Sequence, residues 1–384
     1  VTSSGIDQPL ACVLAALVDG RDLFSGRPDD VPTDLVQRVR IVSNGADDRR
    51  VDRRRVDRAR RTTNDLMRRA SVPPLPVDPD RAGAVLALAF PDRLSIRRGS
   101  RGRFQMRTGT TAWMQPNDSL AGEQFLIAVD LDGKRKDARI RLAAPLDADE
   151  VAVMFADEVV MEQDLAWRDD RLVERTRRRL GGLTLDEMEQ RPAPSPEVTE
   201  ALIDRIRREE LRPLTWTRRS RALAERVAFL NRALGDPWPD WSQAGLIEHT
   251  DAWLGPALAN ASGLDDVASI DLLSVLRSML PHQLHDQLDR LAPETFELPS
   301  GRSVKLDYSS GEAPTLAAKA QELFRLRSHP TAGGIPLTVE VLSPADRPIQ
   351  ITSDLPGFWA GSWKEVRKDM AGRYPKHDWP ENPW

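Results

Sequence analysis

The sequence predicts a multidomain α+β protein made of a helical bundle, a small five-stranded β-barrel and a mixed α+β C-terminal domain. Apolar residues recur at helical spacing in residues 1–75, alternate with polar ones in 76–150, and mix both periods in 151–384. Proline-rich segments interrupt these regions. The length of 384 residues suits two or three domains, since one domain usually takes about 150 residues.

Residues 1–75 are predicted to be helical. The apolar residues of the first helix share one face: Leu10, Val13, Leu14, Leu17 and Val18. A second helix is expected over Leu35–Val42 and a third from about Asp47 to Ala70. The segment Ser71–Pro79 then holds four prolines in nine residues, which block helix formation and indicate a domain edge.

Residues 76–150 change to a strand pattern after one short helix, Arg81–Phe90. The alternating runs are Leu94/Ile96, Phe104/Met106, Ala112/Met114, Phe125/Ile127/Val129/Leu131 and Ile140/Leu142. Gly, Asn and Asp turns separate them, which is typical of short antiparallel strands. A closed barrel of about five strands leaves no exposed edge, so a small barrel is expected here.

The C-terminal region is predicted to be helical in 151–290 and α+β in 291–384. The helical candidates are 148–163, 197–210, 218–234, 244–254 and 264–279. Arg191–Pro196 resembles a flexible joint. The later candidates are a strand at Val304–Tyr308, a helix over Leu316–Leu326, a hairpin joining Leu337–Leu342 to Ile349–Thr352, and a helix from Pro356 to about Met370.

Composition excludes several classes of protein. The chain carries 55 Lys+Arg against 59 Asp+Glu, and no apolar run reaches the ~18 residues of a membrane span. Cys12 is the only cysteine, so an internal disulfide is impossible and a reducing cytoplasm is expected. Only seven of the basic residues are lysine. Arginine suits phosphate binding, but codon bias in a GC-rich genome explains the total more simply.

The search for a catalytic site finds none. The sequence contains no GxxxxGK[ST] phosphate loop, no GxGxxG turn and no GxSxG elbow. His282 and His285 are three residues apart and could share a metal, but no third ligand has suitable spacing, and a solvated helix end is the simpler interpretation. No catalytic residue, metal or cofactor is therefore expected in this chain.

The strongest binding signal is a cluster of arginines on the first two predicted strands. Between Asp92 and Arg107 there are six arginines and one acidic residue. If Leu94, Ile96, Phe104 and Met106 point inward, alternation places Arg93, Arg97, Arg103 and Arg107 on the outside. OB-type barrels bind single strands on such a face, where arginines follow the phosphates and aromatic rings stack on bases. Phe104 or Trp113 could be that ring, although a core position explains Phe104 more simply.

A second basic cluster lies in Arg49–Arg61, where eight arginines accompany two aspartates. Arg50, Arg53, Arg54 and Arg58 share one side of the predicted helix. RNA contact and a solvent-facing charged helix remain equally good interpretations of this cluster.

The C-terminal sequence resembles bacterial HrpB-type ATP-dependent helicases, relatives of the DEAH-box RNA helicases. The resemblance is carried by Val341–Leu355 (VLSPADRPIQITSDL), Phe358-Trp359 and Met370–Glu381 (MAGRYPKHDWPE). Leu86–Arg93 (LALAFPDR), followed by Arg97-Arg98-Gly99 and Gly102-Arg103-Phe104, is similar to the OB-fold region of that family. Within the last of the C-terminal segments, Tyr374–Pro380 is expected to serve in packing.

The resemblance implies an accessory module that binds single-stranded RNA, with DNA as the alternative, and supports a pair of RecA-like motor domains. ATP and Mg²⁺ would belong to that motor, whose phosphate loop and DExH box this sequence lacks. Because the sequence begins at Val1 without Met, we expect a piece of a longer protein. The expected strand contacts are Arg93, Arg97, Arg98, Arg101, Arg103 and Arg107, with Arg50 and Arg54.

Two other hypotheses remain open. The chain could be a scaffold that docks on the motor or on another protein, since nine of its ten tryptophans follow residue 160 and aromatic residues often anchor interfaces. It could also be an unrecognised hydrolase that uses scattered carboxylates.

Overall fold

The computed structural model describes residues 7–27, 30–45, 48–133, 136–310 and 312–384. The chain forms two compact units. The first contains Val1–Asp164 and Glu174–Gln190, and the second contains Leu165–Val173 and Arg191–Trp384. The expected start of the third helix at Asp47 lies outside the described residues.

Four helices begin the first unit: α1 (Gln8–Val18), α2 (Leu35–Asn44), α3 (Arg53–Arg69) and α4 (Ala82–Ala89). Asp34 caps α2 and Asp52 caps α3, because each carboxylate accepts a hydrogen bond from a backbone N–H of the first turn. The apolar stripe of α1 is buried in a core shared with α2, α3 and α4. The helical prediction for this region is confirmed.

Five strands follow and close into a barrel: β1 (Leu94–Arg97), β2 (Arg103–Met106), β3 (Thr111–Trp113), β4 (Phe125–Leu131) and β5 (Ala138–Leu146). Their order around the barrel is β1-β2-β3-β5-β4. β3 and β5 run parallel, and the other neighbouring strands are antiparallel. The predicted five-stranded barrel is confirmed.

Strand β1 faces the opposite way from the prediction. Leu94 and Ile96 belong to the core that the helices form, whereas Phe104 and Met106 of β2 fill the barrel interior. Ser95 is the residue of β1 that pairs with Met106 and lies inside, fully buried. The prediction that Leu94 and Ile96 point inward is therefore wrong, because the outside of the barrel at β1 faces an apolar core to which the helices, Leu180 and Leu183 contribute. The outward direction predicted for Arg97 is wrong with it, since Arg97 pairs with the inward-facing Phe104, although Arg97 is exposed at the end of the strand.

A short helix and a three-stranded sheet follow: α5 (Ala148–Met154), β6 (Val160–Arg168), β7 (Arg171–Leu180) and β8 (Leu183–Gln190). The helix predicted over 148–163 is confirmed for Ala148–Met154 and wrong from Val160, and the helical prediction for 151–290 is wrong for the three strands. The sheet is held largely by charges: Arg175 and Arg177 of β7 both bind Asp164 of β6 at 2.6 Å, and Arg178 binds Asp186 of β8 at 3.2 Å.

Seven helices form the larger part of the second unit. They are α6 (Pro196–Arg208), α7 (Arg218–Leu234), α8 (Gln243–Glu248), α9 (Thr250–Leu258), α10 (Leu264–Ala268), α11 (Leu272–Met279) and α12 (His282–Leu291). The central helix α7 buries Val227 and Leu230 completely. It also buries Arg226, whose guanidinium binds Asp289 at 2.6 Å and donates to the Ala292 carbonyl.

The remainder of the second unit mixes strands and helices. Its elements are β9 (Thr295–Glu297), β10 (Ser303–Lys305), β11 (Thr315–Lys319), α13 (Ala320–Leu323), β12 (Thr331–Ala332), β13 (Ile335–Pro336), β14 (Thr338–Leu342), β15 (Pro348–Thr352), α14 (Leu355–Ala360) and α15 (Trp363–Arg373). The predicted hairpin is confirmed as β14–β15. The helix predicted over Leu316–Leu326 is wrong at its start, since β11 pairs with β14 in parallel and buries alternate residues.

The Tyr374–Pro380 segment packs against an aromatic cluster. The Trp379 ring lies 6.0 Å from that of Trp363, and its indole N–H donates to the Tyr374 carbonyl at 3.0 Å. Trp363, which is 1% exposed, donates to the Pro380 carbonyl. These contacts give the segment the packing role expected of it.

None of the helices that the structure describes is both long and apolar enough to cross a membrane.

Candidate nucleic-acid interface

The turn between β1 and β2 concentrates positive charge. Arg97, Arg98, Arg101 and Arg103 lie within seven residues and are all exposed. Glycine makes the turn possible: Gly102 has φ +78°, and a Cβ there would lie 2.5 Å from the Met114 carbonyl oxygen. The tight hairpin therefore presents four arginines at one end of the barrel.

These four arginines differ in their partners. Arg97 makes no ion pair with any residue that the structure describes. Arg98 donates to the Thr184 carbonyl of β8, and Arg101 approaches the Pro116 carbonyl at 3.4 Å. Arg103 binds both carboxylate oxygens of Asp137, at 2.7 and 2.8 Å. Arg97 and Arg101 are thus the least constrained of the four.

The structure separates Arg93 and Arg107 from this group. Arg107 keeps only 15% of its side chain exposed, pairs with Glu158 and lies over the Phe155 ring at 5.2 Å. Arg93 ends a 3-10 turn before β1 and is half-buried. These contacts hold the Arg107 side chain against the protein. Arg107 is therefore a poor phosphate ligand, although alternation places it on the outside of the barrel.

A row of side chains crosses the outer surface of β2, β3 and β5. Arg103 pairs in register with Trp113, and Trp113 pairs with Arg139. Paired residues point to the same side of a sheet, and the Arg139 guanidinium lies 5.5 Å from the Trp113 ring centroid. Phe104, by contrast, is 2% exposed and belongs to the barrel core, as expected.

Sequence analysis missed Arg139. The signal was present in Ala138–Leu142, where Arg139 and Arg141 alternate with apolar residues, but the predicted strand began at Ile140. Lys136, in the loop before β5, is exposed as well, whereas Lys134 and Arg135 lie outside the described residues. The basic surface is therefore wider than the Arg93–Arg107 cluster from which it was predicted.

Helix α3 carries the second basic cluster, and part of it faces solvent. Arg53, Arg54 and Arg58 are exposed, and Arg54 makes no ion pair within the described ranges. Arg55 and Arg60 turn inward and donate to backbone carbonyls of the preceding segments. Only the outer side of α3 could meet a phosphate.

Arg50 lies before α3 and not on it, so the prediction that it shares a helical side with Arg54 is wrong. Its guanidinium binds Asp48 at 2.9 Å and lies 5.7 Å from the Phe24 ring centroid. The hydrogen bond from Arg50 holds the pKa of Asp48 below its usual range. Asp52 ends this turn as the cap of α3, which explains why the helix begins at Arg53.

The two histidines that could share a metal lie on α12. The His282 and His285 rings lie 5.8 Å apart at the start of α12. Among the described residues, no group of three or more His, Cys, Asp or Glu could hold a metal ion.

The chain is similar to known helicases. The family described as ATP-dependent helicase C-terminal, of HrpB type, matches residues 253–383. The ATP-dependent RNA helicase HrpB of Escherichia coli strain K12 is 34% identical over 325 residues, which cover 83% of this chain and 40% of that protein. The chain therefore spans less than half the length of this relative.

Two crystal structures of Escherichia coli HrpB are also similar. The first, described as a DExH-box NTPase, shares 30% identity and has a TM-score of 0.48, covering 99% of this chain and 46% of that one. The second, described as a DEAH/RHA helicase, shares 27% identity with a TM-score of 0.44, covering 98% and 46%.

Proposed function

We propose that this chain, which belongs to the HrpB-type ATP-dependent helicases and corresponds to their C-terminal portion, binds single-stranded RNA on its barrel in the cytoplasm. In this proposal the bound strand passes to a RecA-like motor, which hydrolyses ATP with Mg²⁺ and drives translocation and unwinding. The barrel serves as the OB-fold.

One observation carries the proposal: Arg103, Trp113 and Arg139 lie in register on the outer surface of the barrel, beside the arginine-rich β1–β2 turn. An aromatic ring offers a stacking face to any base, and the flanking guanidinium groups can contact consecutive phosphates. Contacts of this kind recognise a single strand without reading its sequence. DNA is the alternative ligand, because the described contacts include nothing that selects for a 2′-hydroxyl.

The test is the binding of a fluorescent single-stranded RNA at about 50 and 200 mM salt. Phosphate contacts release counterions, so affinity should fall steeply between the two conditions. Trp113→Ala should weaken binding about five- to 150-fold if one base stacks on the ring. No detectable binding at either salt concentration would refute the proposal.

Controls separate binding from folding. Trp113 is half-buried, so the thermal unfolding of its variant must be measured alongside. Arg97→Ala removes an exposed side chain and should weaken binding without lowering stability. Arg327→Ala removes an equally exposed arginine of the second unit and should leave the affinity for RNA unchanged.

A second candidate function is docking on the motor or another protein. Exposed apolar side chains favour it: Val153 is 79% exposed, Val160 58% and Met161 57%. The tryptophans give it less support than the sequence suggested, because Trp253, Trp359 and most others after residue 160 are buried. Co-elution of this chain with a separately expressed motor would support docking, and loss of co-elution in Val153→Asp would locate it.

A further inference from the structure

The second unit contains a cleft of about 750 Å³ along helix α7. One face of α7 forms its wall with Arg221, Ala224, Glu225, Ala228 and Arg232, which follow helical spacing. The two alanines leave room between the charged side chains. A volume of this size is within the range of small-molecule sites.

Trp241 also lines the cleft and carries an unpartnered polar group. Its side chain is 3% exposed, and its indole N–H finds no hydrogen-bond acceptor among the described residues. Trp253, a neighbour in the same core, donates its N–H to the Leu246 carbonyl at 2.8 Å. The Trp241 nitrogen has almost no accessible surface, so a ligand in the cleft can contact the Trp241 ring but cannot reach its N–H.

Glu225 of α7 supplies a carboxylate acceptor to the lining of the cleft. Its carboxyl is half-buried and accepts no hydrogen bond from the described residues. Burial raises its pKa, Asp307 adds repulsion, and Arg221 compensates only in part. A ligand that donates two N–H groups would stabilise the carboxylate in this place.

A flat cationic platform lies beside these groups. The Arg221 guanidinium is 5.8 Å from the ring centroid of Trp216, and both line the cleft. Arg232 is exposed at another point of the wall and makes no ion pair with a residue in the described part of the chain. A planar heterocycle can stack on the platform, and an anionic group can bind Arg232.

We propose that this cleft binds a guanine nucleotide, with the guanine base recognised by Glu225 and its phosphate by Arg232. The Watson–Crick edge of guanine offers two adjacent N–H donors to the carboxylate. Adenine and cytosine present one exocyclic amine with a ring acceptor beside it, which a carboxylate repels. The site lies in the second unit and does not require that the barrel binds RNA.

The experiment is a titration of the whole chain with GMP, AMP, CMP and UMP by isothermal calorimetry. Saturable one-to-one binding of GMP is expected, at least about tenfold tighter than that of AMP, since a bidentate contact discriminates by a factor of this order. Glu225→Gln should weaken GMP binding about tenfold or more. Glu365→Gln, an exposed glutamate on α15, is the matched control and should change nothing.

Two RNA pentamers, AAGAA and AAAAA, show whether the site binds a guanine within an RNA strand or a free guanine nucleotide. Tighter binding of AAGAA that Glu225→Gln abolishes assigns the site to a strand, whereas GMP binding without any preference between pentamers assigns it to free nucleotides. Equal affinities for GMP and AMP, or GMP binding unaffected by Glu225→Gln, would overturn the proposal. Trp113→Ala should leave GMP binding intact, which separates this site from the barrel surface.

Discussion

At the scale of single residues, the charge around Arg103 determines how strongly the barrel surface can hold a phosphate. Arg103 and Asp137 are both about half exposed, and the Arg103 Nη1 donates to both carboxylate oxygens of Asp137. In the proposed complex, a phosphate competes with this carboxylate. The pair should therefore weaken the proposed RNA binding, and a single substitution can test this.

Asp137→Asn is expected to strengthen RNA binding about two- to fivefold, because an exposed pair of this kind contributes up to about 1 kcal/mol. The measurement is the dissociation constant of a labelled RNA at low salt. Asp369→Asn is the matched control, since Asp369 forms an exposed pair with Arg373 in the second unit. Weaker binding by Asp137→Asn would contradict a phosphate contact at Arg103.

A second prediction concerns the effect of Glu225 on the stability of the fold. Its pKa in the folded chain lies above the ordinary value of 4.5, so the carboxylate destabilises the fold at neutral pH and the protonated form does not. Glu225→Gln should therefore raise the melting temperature at pH 7. The gain should vanish below about pH 4.5, where the side chain is protonated in both states. A lower melting temperature at pH 7 would show that the carboxylate has a stabilising partner.

At the scale of elements, the sheet β6–β8 was not predictable from hydrophobic pattern. Arg175 and Arg177 take the places where apolar residues usually mark a buried face, and Asp164 lies between them. The hydrogen bond from Arg175, with one from Arg177, lowers the pKa of Asp164 to about 2. Cross-strand charges replace the period-two signal here, so a sequence rich in Arg and Glu resembled a helix.

The same contacts make the sheet sensitive to acid. Because the pKa of Asp164 is lower in the folded chain than its ordinary value of 3.8, the carboxylate stabilises the fold at any pH above 3.8. This contribution is lost as the pH falls toward about 2. Asp164→Asn should be less stable than the parent at pH 7 in urea unfolding, with the difference closing near pH 2. Asp186→Asn, which breaks a single pair in the same sheet, should have a smaller effect at every pH.

An aromatic cluster on the last two helices stabilises the C-terminal region. Trp363 lies 5.0 Å from Trp359 and 5.6 Å from Phe324, ring to ring, and is almost fully buried. Trp363→Ala should lower the free energy of unfolding by about 3–5 kcal/mol. Trp384→Ala, at a ring that is 44% exposed, should change it by less than about 0.5 kcal/mol. Equal effects would contradict the packing described here.

At the scale of the whole molecule, the sequence was most informative where contacts are local. The barrel was predictable because alternation and glycine turns recur within short segments, as at Gly99 and Gly102. The direction in which β1 faces was not predictable, since residues distant in sequence form the core that covers Leu94 and Ile96. The cleft was not predictable either, because its walls join residues as far apart as Glu210 and Ser309.

The same limit applies to the barrel surface. The arginine cluster marked the β1–β2 turn, but the sequence alone did not show that Arg107 is held by Glu158 or that Arg139 lies beside Trp113. Assigning an arginine to binding or to packing requires its partners. The exposed arginines of the turn are therefore the central proposed phosphate contacts.

The salt dependence of RNA binding tests that claim most directly. The slope of log affinity against log salt should be shallower by about 2 in the triple variant Arg97→Ala/Arg101→Ala/Arg103→Ala, since each lost contact with a single strand removes about 0.7. The measurement is a fluorescence titration from about 50 to 200 mM salt, with melting temperatures to confirm folding. Parallel slopes for parent and variant would mean that these arginines touch no phosphate, and would contradict the account.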